Sequence, residues 1–374
     1  MIRSGICWVC LAALFAAPTL AEEELDVAGV YQAIVADYQR VVGATENAAG
    51  HAAAGRLARV GYRGLISRAI GIDELSADDL HALGQCHEAI GETETAKELY
   101  AKSLAADAAA RTHLSLARVN LRDDLTKADE HLASAVELQP EHPDLNRFRL
   151  SLAAAHQRER DWAGSVPFLE HLLGYTKTLS ERAPASSRLK IGHDAVQKQL
   201  DRARRFDGMT GNAAPALKVE HWAQGEATAL DGLKGKVVLV DFCAMWAKPS
   251  RDRIELLKEL QGEFGDKGLA IVGVTLAYKH KYDAETDKVT VEEKLSAEDE
   301  CAGIAEFAKK HEIPWRLGVI GQETVDQYGV ATLPHTVVLD NEGNVAAILL
   351  GGEKNAGDLE TIVTTALGLQ TKDE

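Results

Sequence analysis

Two patterns of apolar residues divide this chain. From about Glu24 to Arg205, Ala and Leu recur at three- and four-residue spacing with Glu and Arg between them. That spacing lays one apolar stripe along each of several helices. Gly208, Gly211, Asn212 and Pro215 then interrupt the pattern, so 208–215 reads as a linker. Beyond it, short unbroken apolar runs alternate with amphipathic stretches. Strands are predicted near Lys236–Phe242, Leu269–Leu276, Arg316–Val319, Thr336–Asp340 and Val345–Leu350. Helices are predicted near Ser250–Phe264, Ala297–Lys310, Glu323–Tyr328 and Gly357–Ala366, and Asp340 to Gly343 reads as a hairpin turn.

The helical part repeats with a period of about 34 residues. One copy carries Leu80, Leu83, Gly84, His87, Ala96, Tyr100 and Ser103. A second is centred on Ala128, Leu132, Ala135 and Pro140, and a weaker third runs through Leu152, Ala153, Trp162, Ser165 and Leu169. Small residues at these places let paired helices approach closely, and large ones fill the gaps between pairs. The segment resembles a short tetratricopeptide array, flanked by helices near Asp26–Val42 and Ala185–Arg205. A plain helical bundle is the competing reading.

The first residues read as a signal peptide. Arg3 gives a positive start, Ile6 to Ala17 an apolar core, and Thr19-Leu20-Ala21 a small-residue cleavage site. The apolar run is short for a membrane span, so no span is expected after cleavage. The expected organisation is therefore signal peptide 1–21, helical domain 22–207, linker 208–215 and an α/β domain 216–374. A net charge of -16 over 374 residues argues against nucleic-acid partners, which need clustered Lys and Arg. Cys7 and Cys10 fall inside the signal core. The remaining Cys86, Cys243 and Cys301 are odd in number, so at least one thiol is unpaired within a monomer, and an exported chain with so few cysteines does not depend on a disulfide framework.

Three local motifs in the α/β part carry a family resemblance. Leu233, Gly235 and Lys236 introduce an apolar run ending in Asp241-Phe242. Trp246-Ala247-Lys248-Pro249-Ser250 follows it, and Tyr328 to Asp340 includes Leu333-Pro334-His335. Together they resemble the exported thioredoxin-like family of TlpA/ResA type, within the redoxins. The resemblance implies a thioredoxin fold, a central mixed sheet flanked by helices, and a cis peptide at Pro334. It places Trp246 to Ser250 where the family has W-C-x-P-C, so both redox cysteines are missing. Dithiol exchange needs an attacking thiolate and a resolving thiol, and Ala247 and Ser250 supply neither. Asp241 matches the family's buried carboxylate and would be vestigial here, with Lys234 or Lys236 as possible partners.

These readings imply a redox-inactive exported protein that binds a protein or peptide, without metal or cofactor. Binding would use the helical repeats and the cleft of Trp246, Leu333, Pro334 and His335. The alternative is a thiol-disulfide oxidoreductase working through Cys243 or Cys301. A Ser250–His335 pair lacks a nucleophile-elbow motif and a third partner, which leaves Ser250 as a helix N-cap and His335 at the surface. His81, His87, His113 and His131 match no metal-ligand spacing. The acidic insertion 279–300 reads as a solvated loop leading into a helix.

Overall fold

The computed structural model describes residues 25–45, 48–351 and 356–369. The signal-peptide reading of 1–21, with Cys7 and Cys10, lies outside them. The described residues fall into two compact units that divide between Ala155 and His156. Among the described residues, no helix is long and apolar enough to cross a membrane.

The first unit is helical. Helices α1 (Val27–Gly43), α2 (Ala48–Ala69), α3 (Ala77–Ile90), α4 (Thr93–Ala106), α5 (Ala110–Asn120) and α6 (Leu125–Leu138) lead into α7 (Leu145–Arg158). The pairs α3–α4 and α5–α6 coincide with the first two repeat copies. Ser76 and Asp79 form a capping box at the start of α3, and Gly91 closes it in the left-handed region. Gly84 lies so close to Tyr100 that a Cβ there would sit 2.5 Å from the ring. The small residue is what lets α3 and α4 touch. Glu88 on α3 then accepts from Tyr100 Oη at 2.8 Å and from Arg118 Nε and Nη2 at 2.5 and 2.7 Å, linking three helices.

The second unit begins with α8 (Trp162–Arg182) and α9 (Ser187–Met209). Strands β1 (Val219–Gln224), β2 (Val237–Phe242), β3 (Leu269–Leu276), β6 (Arg316–Ile320), β7 (His335–Leu339) and β8 (Val345–Leu350) form one mixed sheet, ordered β1-β6-β3-β2-β7-β8. β2, β3 and β6 run parallel, while β7 and β8 close the other edge antiparallel. Helices α10 (Lys248–Asp252), α11 (Ile254–Phe264), α12 (Ala297–Lys310), α13 (Gln322–Tyr328) and α14 (Ala356–Ala366) complete the unit, with a small hairpin, β4 (His280–Asp283) and β5 (Lys288–Val291). This is the thioredoxin-fold mixed sheet flanked by helices.

Because side chains alternate along a strand, the buried β2 feeds two cores. Val237 and Leu239 pack with Leu257, Leu260 and Phe307. Val238, Val240 and Phe242 pack on the other face with Tyr328, Trp162, Phe206 and Met209. The last three belong to α8 and α9, which the sequence reading had assigned to the helical domain. The expected boundary at 208–215 is thus displaced: the unit holding the sheet begins at His156. Residues 208–215 are not a free linker either. Gly211 N donates to Val345 O at 2.8 Å, Val345 N to Asn212 O at 2.8 Å, and Ala214 N to Gly343 O at 3.1 Å. The breakers Gly211 and Asn212 end α9 and lay the chain along the β7–β8 turn.

Candidate functional site

The motif residues meet at one end of the sheet. β2 stops at Phe242, paired with His335 at the start of β7. The turn after β2 and the cis Leu333–Pro334 bond before β7 therefore share that end. Trp246 on the turn is 44% exposed. Ala247 is the N-cap of α10, with no side-chain cap, and its methyl is buried. Ser250 is not an N-cap as expected. It lies inside α10, buried, and its Oγ accepts from Ala244 N at 3.4 Å, bracing the turn instead.

The predicted helix 250–264 is interrupted at Arg253. Arg253 is buried and sends Nη2 to within 3.4 Å of Asp241 Oδ1. Thr336 Oγ1 bridges them, accepting from Arg253 Nη2 at 2.8 Å and donating to Asp241 at 3.2 Å. Lys234 and Lys236 are not the partners. Both are exposed at the opposite end of β2, and Lys234 pairs with Asp231. Burial raises the Asp241 carboxyl above the usual carboxylate range, opposed by Arg253, Thr336 and the Cys243 thiol. Removing one member of such a buried pair leaves an uncompensated charge. Arg253→Met should therefore cost about 3–5 kcal/mol, read as a lowered urea midpoint. An unchanged midpoint would show that Asp241 is neutral in the fold.

Cys243 sits beside this network, where burial first and the Asp241 charge second push its thiol well above its ordinary value. Cys301, buried on α12, is likewise raised by burial and by Glu298. Cys86, Cys243 and Cys301 are free thiols.

His335 overturns the surface expectation: it is fully buried. Its ring meets Phe242 and Phe206 at 5.5 and 5.6 Å. Burial, then Arg202, pushes it down to about 3, so the ring is neutral. Neither ring nitrogen has a hydrogen-bond partner among the described residues. In register, Thr336 joins Asp241 on one face and His335 joins Phe242 on the other. Ser250, tied to the Asp241 side, and His335 are separated by the sheet, and no Ser–His pair forms.

The acidic insertion is ordered, not a solvated loop. β4 and β5 pair antiparallel, His280 opposite Val291. Asp287, in the left-handed region at their turn, receives Tyr282 Oη at 2.9 Å, His311 Nε2 at 3.0 Å and Arg251 Nη2 at 2.5 Å. Burial opposes its ionisation, but these bonds outweigh it and hold the carboxyl at about 2. A depressed value means stabilisation present above the ordinary 3.8 and lost as pH falls from there through about 2. Amide exchange over residues 280–291 should accelerate in that window, and Asp287→Asn should abolish the step.

The remaining histidines do not converge. His81 is buried, bonds Thr112 at 3.0 Å and is pushed down to about 4 by burial. His87 meets Glu92 at 2.6 Å, and His113 meets His131 at 3.1 Å, Nδ1 to Nδ1. Among the described residues, no group of three or more His, Cys, Asp or Glu is placed to hold a metal.

The region that holds this site is similar to known proteins. A profile described as the AhpC/TSA family matches residues 210–348. The chain is similar to thioredoxin-like protein YneN of Bacillus subtilis (strain 168), 28% identical over 141 residues, spanning 38% of this chain and 71% of that protein. It is also similar to thiol-disulfide oxidoreductase ResA of Bacillus anthracis, 24% identical over 142 residues, 38% of this chain and 69% of that one. A solved thiol:disulfide interchange protein of the thioredoxin family, from Chlorobium tepidum TLS, covers 42% of this chain and 97% of its own, at 21% identity and a TM-score of 0.34. The C-terminal part of this chain is a thioredoxin-like redoxin domain, preceded by a helical region.

Proposed function

We propose that this is an exported, redox-silent thioredoxin-like protein that binds a protein or peptide partner. One observation carries the reading. The turn that would hold the redox pair presents a buried methyl at Ala247 and a hydrogen-bonded hydroxyl at Ser250, while Trp246 stays exposed at the cis-proline end of the sheet. The cleft there would take an extended peptide along the backbone beside Leu333. The helix pairs of the first unit, read as tetratricopeptide-like, would offer a second binding surface, since stacked pairs form concave faces. Export rests on the signal-like residues 1–21.

The thiol positions weigh against the oxidoreductase alternative. The thiolate is the nucleophile, and burial disfavours it at both Cys243 and Cys301. With dithiothreitol present, the chain should reduce insulin disulfides no faster than the uncatalysed reaction. Turnover like that of an active thioredoxin would refute the proposal. Cys243→Ala and Cys301→Ala would then identify the sulfur responsible.

A further inference from the structure

Between β3 and β4 the chain builds a surface that the sheet itself does not require. Tyr278 and His280 both reach the exposed indole of Trp246. The His280 ring is stacked on it, 5.5 Å between centroids and 20° between planes. Tyr278 meets it edge-on at 5.4 Å and 84°. Offset stacking and edge-to-face contact are the two arrangements that ring quadrupoles favour. Trp246 is nevertheless 44% exposed, and Val291, opposite His280 in the hairpin, is 67% exposed. The two rings orient the indole without covering it.

A dedicated device holds the rings in place. Glu300, on the first turn of α12, is 2% exposed. Its carboxylate accepts from Tyr278 N at 3.0 Å, Lys279 N at 2.7 Å and His280 N at 3.2 Å. Lys279 adopts φ +59, which turns three successive N–H groups toward one anion. A buried carboxylate is costly unless fully hydrogen-bonded. Here its bonds all go to the segment that carries the two rings.

We propose that Trp246, Tyr278 and His280 form a preorganised subsite for an aromatic side chain of the bound peptide, with Glu300 as its positioning residue. This rests on the peptide-binding reading above. The uncovered part of the indole accepts a further ring in the geometry its neighbours already use. Glu300 is spent on backbone N–H groups and Asp287 on three side-chain donors, so neither carboxylate is left to pair with a cationic guest.

The test uses the full chain and fluorescein-labelled nonapeptides of sequence GSTAFATSG and GSTAAATSG, followed by fluorescence polarisation. The phenylalanine peptide should bind about three- to tenfold more tightly, the worth of one aromatic pair. Glu300→Gln should erase that preference, since its amide nitrogen would face N–H donors, and Tyr278→Ala should do the same. His280→Ala leaves the Glu300 bonds intact and must also weaken the preference, so a folding defect in Glu300→Gln cannot leave the question open. Equal binding of the two peptides, or a preference that survives in all three variants, overturns the subsite while sparing the cleft. Failure of both peptides to bind into the millimolar range overturns the peptide-binding reading itself, and the subsite with it.

Discussion

A fragment of residues 216–374 is expected to fail to fold, whereas residues 156–374 should unfold in one cooperative transition. The shorter fragment keeps every strand of the main sheet but loses α8 and α9. With them go Trp162, Phe206 and Met209, all buried against Val240, Phe242 and Tyr328. Trp162 and Phe206 meet ring to ring at 4.8 Å, and Phe206 then covers His335 at 5.6 Å. Burying a large apolar side chain is worth about 1.5–3 kcal/mol, so these three account for about 5–9 kcal/mol. That approaches the about 5–15 kcal/mol that a whole domain has to lose. The cut would also strip Gly211 and Asn212 from the β8 edge. Urea titrations followed by circular dichroism decide the matter. Equal midpoints for the two fragments would mean that α8 and α9 only lean on a self-sufficient domain.

The strands of the sheet core were legible because their burial is complete. β2 is buried at all six positions and β3 at six of eight, so each appears as a largely apolar run, interrupted by Asp241 in β2 and by Gly273 and Thr275 in β3. α12 was legible for a different reason: Ser296 caps it and acids fill its first turn. β1 left no such trace. It is an edge strand, half-exposed and interrupted by two register shifts, and His221 and Gln224 break any alternation. The β4–β5 hairpin was hidden by its lysines and acids; its order comes from Asp287 and Glu300 together with Tyr282, which is buried against Phe307.

At the site, the sequence located the turn, the cis proline and the buried Asp241, all carried by local motifs. It missed what depends on distant elements. Arg253, at the junction of α10 and α11, reaches Asp241, and nothing in the apolar spacing marks that junction. His335 looks like a surface residue until α9 covers it, since a polar side chain in a short strand carries no sign of which face it occupies. Reading His335 as exposed thus followed from leaving the packing of α9 over the sheet out of account. The domain boundary had been set by helix content, while packing sets it at His156.

The double substitution Ala247→Cys with Ser250→Cys should turn an inert turn into a working dithiol site, raising insulin reduction by at least about tenfold over the uncatalysed rate; a tenfold rate change needs only about 1.4 kcal/mol of barrier. The backbone already suits the pair. Ala247 caps α10 and Ser250 stands three residues on, its amide bonded to Ala247 O at 3.0 Å. N–H groups at a helix start favour the thiolate of a cysteine placed there. Sulfur at position 250 has room, because a cavity of about 40 Å³ is lined by Ser250, Asp241, Cys243 and Thr275. Asp241, its carboxyl raised by burial, lines the same cavity. Each single substitution should stay near the uncatalysed rate, since one sulfur can attack but not resolve. Adding Cys243→Ala to the double variant should leave the gain intact, because that thiol is held protonated beside Asp241. If the double variant forms its disulfide and still shows no turnover, the loss of activity lies deeper than the two missing sulfurs.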